Sequence, residues 1–433
     1  MSGPARRAGT DGLTARTVAV ADPRDLLARL PDDACLAWVR HGEGLVGWGQ
    51  AARLDAGTGP ERFARAAAWL SDLFAGAAVH DEVGGAGTGP VAFGSFTFDA
   101  RAGGSLVVVP GITLGRRGGR AWVTAVGGAD LSIPAVGPVQ ALPACGRIRY
   151  AGASISELRW LDAVDDTAEA VRRGELAKAV LARDLRVWSE AELDVRVLAR
   201  RLAERFPECY TFVCEGLVGA TPELLVRRRG RRVESVVLAG SAPRGRGGED
   251  HRLGAALLGS RKDRAEHELA VASVREVLAP ACTELAVDGP RLLRLANVQH
   301  LCTSVRGTLI GSPTALELVA ALHPTAAVCG TPTGRALARI RALEGMDRGR
   351  YSGPVGWMDA RGDGEWGIAL RCAEVAGTRA RLFAGAGVVG DSLPEAELEE
   401  TRLKLHAMQS ALEGWEAARR RPAPAAGARR APT

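Results

Sequence analysis

The chain has 433 residues, 46% of them apolar, enough for one large or two ordinary globular domains. No apolar run is long enough to span a membrane, and the N-terminus lacks an apolar segment ending in a small-residue cleavage site, so neither membrane nor secretion is expected. The net charge of +6 sits at the ends, with Arg6, Arg7 and Arg16 near the start and Arg419, Arg420, Arg421, Arg429 and Arg430 in a Pro/Ala-rich tail, and aromatics are only 5%, which argues against nucleic acid.

In chain order, residues 1–17 read as a disordered leader and residues 415–433 as a disordered basic tail. Between Val18 and Pro143, short apolar runs alternate with Gly/Pro turns. Ala34 to Val46, Pro90 to Phe98 and Ser105 to Pro110 read as strands, and Glu61 to Phe74 as an amphipathic helix. A helix follows from Asp162 to Arg173, then an apolar strand from Leu176 to Val187 that carries Lys178, Val180 and Ala182 on one face. Lys178 is either a lysine snorkelling from the strand edge or an amine made available as a base by desolvation. Pro222 excludes a central strand at its position, so Glu223 emerges from a turn at the start of the next strand. Val236 to Gly240 reads as a strand ending in a turn with free backbone N–H groups at Gly240 and Ser241, a plausible anion seat.

The helix from Asp263 to Leu278 puts Glu266 on one face with Ala270, Ser273 and Val277, and a carboxylate on an inward stripe needs a partner. Trp366 to Val375 and Arg379 to Val389 read as a hairpin whose first strand carries Arg371, a guanidinium that wants a carboxylate. Ser392 and Glu395 have capping-box spacing before a helix with Leu398, Thr401, Leu405, Met408 and Leu412 on one stripe. Glu397, Glu400 and Lys404 lie beside that stripe, and Glu400 with Lys404 is by itself an ordinary i, i+4 ion pair. Gly385-x-Gly387-x-x-Gly390 lacks the following strand and acidic residue of a dinucleotide site. If Glu266 converges with Glu397 and Glu400, a cation must sit between them, and hard oxygen ligands suit Mg2+. The eight cysteines show no metal-ligand spacing and read as small apolar fillers in a reducing cytosol.

The segments KAVLAR, GATPELLVRR, LAGSAPRG, KDRAEHELAV, HPTAAVCGTP, YSGPVGW, GEWGIALRC and LFAGAGVV, followed by the ExxETRxKL helix, resemble the chorismate-utilising enzymes over roughly residues 150 to 412. That family includes isochorismate synthases, salicylate synthases and anthranilate synthase component I. The resemblance implies an α/β fold of α+β type, with two orthogonally stacked antiparallel sheets flanked by helices. It implies one enzyme domain over residues 18–414, with residues 18–149 as scaffold and 150–414 as the catalytic part, acting as a cytoplasmic monomer on chorismate. It also implies Mg2+ held by Glu266, Glu400 and Glu397. Arg371 and Tyr351 would take the enolpyruvyl carboxylate, Lys404 with Gly240, Gly385 and Gly387 would orient the substrate, and His300 would lie against its ring. Relatives that add ammonia typically carry glutamine where Lys178 stands, and lyases that expel pyruvate carry threonine where Ala327 stands. Lys178 with Ala327 therefore resembles an isochorismate synthase serving menaquinone, siderophore or salicylate synthesis, with Lys178 as base and Glu223 as acid. Salicylate synthase or anthranilate synthase component I, and from another class a catalytically idle Mg2+- and anion-binding relative, are the competing expectations.

Overall fold

Short, β-rich apolar runs bounded by glycine turns favour strands along most of the chain. In the computed structural model, which describes residues 12–414 apart from positions 33, 130 and 144, they form one sheet of 13 strands and one of 9, with eight α-helices among the described residues. Strand pairing is antiparallel except between Thr14–Ala19 and Ala78–Asp81, so the expected pair of antiparallel sheets flanked by helices is present. Each sheet draws strands from both sides of residue 150. The larger runs from Ile148–Tyr150 and Lys178–Ser189 through Arg379–Val388, Leu36–Arg40 and Thr14–Ala19 to Ala78–Asp81. The smaller runs from Cys282–Arg294 through Arg232–Pro243 to Ala52–Asp55.

The expectation of a disordered leader fails for residues 14–17. They open a strand paired on both edges, and its alternate residues Ala15 and Thr17 are fully buried, which offsets the entropy of ordering a chain end. Residues 1–11 and the tail 415–433 lie outside the described residues.

Two passages between the sheets organise the centre of the molecule. Leu217–Thr221 belongs to the larger sheet and Leu224–Arg229 to the smaller, so Pro222 and Glu223 form the link, as the proline suggests. The second passage departs from expectation. Trp366 to Val375 is two strands rather than one, Gly364–Ile368 in the smaller sheet and Cys372–Ala376 in the larger, with Arg371 in the break at φ 48°. The backbones of the two passages bond to each other, Ile368 N–H to Glu223 O at 3.3 Å and Ala220 N–H to Arg371 O at 3.2 Å.

Three further local expectations change. The strand carrying Gly240 does not end there. Arg232–Pro243 continues past a register shift between Ala239 and Ser241, which Gly240 permits at φ +76°. The Ser392/Glu395 capping box is absent, because Leu393 is the N-cap and Ser392 Oγ instead accepts from Val389 N–H at 3.1 Å, closing the preceding turn. In helix Arg261–Leu278 the buried stripe is His267, Ala270, Val274 and Leu278, one position round from the expected one. The last helix, Pro394–Glu413, does bury Leu398, Thr401, Leu405, Met408 and Leu412, and packs on Arg379–Val388.

Candidate active site

The two passages, the register shift at Gly240 and the last helix meet around one cavity. Its wall includes Glu223, Gly240, Ser241, Glu266, His300, Ala327, Tyr351, Arg371, Gly385, Gly387, Glu400 and Lys404, so most of the residues singled out in the sequence come together. Lys178 and Glu397 are not on that wall. Lys178 is fully buried behind Glu266, with Nζ 3.1 Å from Glu266 Oε1, and Glu397 is buried at 2% exposure in an ion pair with Lys262. Gly387 is what allows the first arrangement, since a Cβ there would stand 2.2 Å from Glu266 Oε1 and 2.9 Å from Lys178 Cε.

Glu223 is the most perturbed carboxyl in this group. Burial, only partly opposed by the charges of Lys178, Arg371 and Lys404, pushes it up to about 8, so it carries its proton at neutral pH. Its position follows from Pro222, which forces the chain out of one sheet just before it.

Across the cavity, Arg371 donates to His300 Nε2 at 2.8 Å. That nitrogen is then the acceptor, which makes Nδ1 the protonated one, beside Ser241 Oγ at 3.0 Å and Gly240 O at 3.3 Å. Burial, with the charges of Arg371 and Lys404, holds His300 well below the usual imidazole value, so the ring is neutral. No carboxylate of the described residues pairs with Arg371 within 4.0 Å, so its remaining donors are open to a ligand's carboxylate. Tyr351 stacks on Phe383 with centroids 4.9 Å apart, and burial pushes its hydroxyl up to about 12. The phenol is therefore a neutral donor.

Lys404 Nζ donates to Gly385 O at 2.8 Å and lies 2.6 Å from Glu400 Oε1. Burial alone would raise Glu400, but Lys404 beside it holds the carboxyl below its ordinary value. Glu397, one turn earlier, moves the other way, raised by burial and by the negative charge of Glu400. Glu397, Glu400 and, from another helix, Glu266 offer carboxylate oxygens, the donor type that a hard divalent cation takes. Among the described residues no group of three acidic, His or Cys side chains forms a ready-made chelate. Each carboxylate is instead held by a lysine.

The family model described as a chorismate binding enzyme matches residues 143–413. The chain belongs to the chorismate-binding enzyme family. A Mycobacterium tuberculosis protein provisionally named isochorismate synthase MenF is 40% identical over 344 residues, covering 75% of this chain and 87% of its own length. The salicylate biosynthesis isochorismate synthase of Pseudomonas aeruginosa is 39% identical over 419 residues, 87% of this chain and 84% of that one. A Bacillus anthracis crystal structure, provisionally described as the 2,3-dihydroxybenzoate-specific isochorismate synthase DhbC, superimposes with a TM-score of 0.75 at 32% identity, over 89% of this chain and 98% of that one.

For a chorismate-binding enzyme the cavity offers cations to a ligand with two carboxylates, namely Arg371 and Lys404. Sequence reasoning passed over Lys262 and Asp263. Lys262 sits four residues before Glu266, one helical turn away, and that spacing was the available signal. Asp263 packs against Gly240, 3.1 Å from where a Cβ would stand, and is raised by burial and by the charges of Glu266 and Glu400.

Proposed function

We propose that this chain is an isochorismate synthase, which converts chorismate to isochorismate by adding water at C2 and expelling the C4 hydroxyl. The observation that carries the reading is Glu223, a carboxyl that keeps a proton to about pH 8 in the wall of a cavity rich in cations. A departing hydroxyl needs a proton, and a group titrating near the working pH is suited to supply one. The names of relatives about 40% identical support the same reaction.

In this reading Lys178 accepts a proton from the attacking water. Glu266, 3.1 Å from its Nζ, holds the amine in place. Attack forms the C2–O bond, the ring double bonds shift, and the C4–O bond breaks as Glu223 delivers its proton, so one water enters and one leaves. Arg371 and Tyr351 bind the enolpyruvyl carboxylate. Lys404 and the backbone at Gly240, Gly385 and Gly387 orient the ring, with neutral His300 against it. Glu266 and Glu400, with Glu397 behind, would hold Mg2+, which when bound neutralises the ring carboxylate. Ala327 presents a methyl group that cannot hydrogen-bond the enolpyruvyl group into the pose its elimination needs.

Incubation with chorismate and Mg2+, followed by proton NMR, tests the reading. The expected product is isochorismate approaching a balanced mixture with chorismate. Accumulating salicylate and pyruvate, an aminated product that appears only with ammonia, or no turnover would each overturn it.

A further inference from the structure

Lys262 stands in the second position of helix Arg261–Leu278, one turn before Glu266, and its Nζ reaches across to the last helix to meet Glu397 Oε1 at 2.6 Å. The charges acting on this ammonium, in order, are those of Glu397, Glu266 and Glu400. These are the three carboxylates that would hold the divalent cation in the proposed function. The other two lysines of the cluster are tied down elsewhere. Lys178 is fully buried, and Lys404 also donates to Gly385 O. Lys262 has Glu397 as its one hydrogen-bond acceptor among the described residues and is about a third exposed, so its flexible stem can swing the head into water without breaking another bond.

We propose that Lys262 is a built-in counter-ion that competes with the divalent cation for the acidic cluster. With no metal bound, its ammonium offsets the repulsion between Glu397 and Glu400. When the metal arrives, Lys262 moves out to solvent, and the cost of displacing it weakens cation affinity. An enzyme arranged in this way binds the metal weakly by itself and more tightly once a carboxylate substrate adds ligands, so substrate and metal reinforce each other. The inference rests on the divalent-cation part of the proposed function.

Calorimetric titration of Mg2+ into the substrate-free full chain, with Mn2+ titration followed by electron paramagnetic resonance as a second readout, tests it. Lys262→Met should tighten both ions by roughly three- to thirtyfold, and Lys262→Arg, which keeps the charge, should stay within about threefold of wild type. The gain should shrink when chorismate is present. Unchanged or weaker binding in Lys262→Met, with its thermal transition intact, would overturn the competition while leaving Mg2+-dependent turnover, and hence the proposed function, standing. Turnover that needs no divalent cation, with no binding in any variant, would overturn both.

Discussion

Glu223 and Arg371 occupy the two passages between the sheets, and the backbones of those passages are hydrogen-bonded to each other. An acid and a guanidinium are thereby fixed around one cavity by the two crossings between the sheets.

The burial that makes Glu223 an acid has a thermodynamic consequence. Its carboxyl titrates near 8 when folded and near the ordinary value when unfolded. Between those values the unfolded chain has lost a proton that the folded one keeps, so stability falls as pH rises through that window. Glu223→Gln should therefore lower kcat by roughly 10²-fold or more, yet raise stability at pH 7 by on the order of a few kcal/mol. Wild-type kcat should decline as pH passes about 8, where the acid loses its proton. Denaturant melts at pH 5 and pH 8 with both proteins check the linkage. A Gln variant less stable than wild type at pH 8 would mean that the carboxyl makes favourable contacts outweighing its burial.

Lys178→Ala should also lower kcat by roughly 10²-fold or more while changing KM less, as expected for loss of a base. It should in addition cost stability, because it leaves Glu266 without its 3.1 Å partner. A raised KM with kcat intact would make Lys178 an electrostatic anchor.

Glu266→Gln and Glu400→Gln should each abolish Mg2+-dependent turnover while the fold survives, since each removes a negative oxygen ligand. The accompanying effects differ by residue. Glu400→Gln frees Lys404, which keeps its bond to Gly385 O, whereas Glu266→Gln leaves the fully buried Lys178 ammonium uncompensated. The Glu266 variant should therefore be the less stable of the two in thermal melts. Near-normal activity at limiting Mg2+ in either variant removes that residue from the metal.

The parts of this site that were legible in the sequence are those set by local rules. The 3-4-3-4 spacing from Leu398 to Leu412 fixed the buried face of the last helix, and hence the side from which Glu400 and Lys404 project. Pro222 fixed the break before Glu223. Arg371 was misplaced because Trp366 to Val375 is an uninterrupted strand-like run, and only a left-handed backbone at φ 48° marks the change of sheet. The Lys262–Glu397 pair joins helices 135 residues apart, which no spacing rule reaches. The Ser392 hydroxyl had two local uses, a helix cap or a turn, and local pattern does not choose between them. The convergence of Glu266 with Glu400 was supplied by family resemblance rather than by periodicity.

Ala327→Thr should add detectable salicylate and pyruvate at some cost in isomerisation rate, because a hydroxyl at this wall position can hold the enolpyruvyl group in an eliminating pose. Pyruvate release, measured with a coupled dehydrogenase and corrected for spontaneous decay of isochorismate, reads this out. No new pyruvate in the variant would show that more than this position decides the product.

The central claim, that water enters at C2 as the C4 hydroxyl leaves, is tested most directly in 18O-water with chorismate and Mg2+, stopping at low conversion and locating the label by NMR and mass spectrometry. The account predicts isochorismate with one 18O, at the C2 hydroxyl, formed by the wild type and at least about 10²-fold more slowly by Lys178→Ala. Isochorismate that carries no label would mean that the original hydroxyl migrates within the ring, and would contradict it.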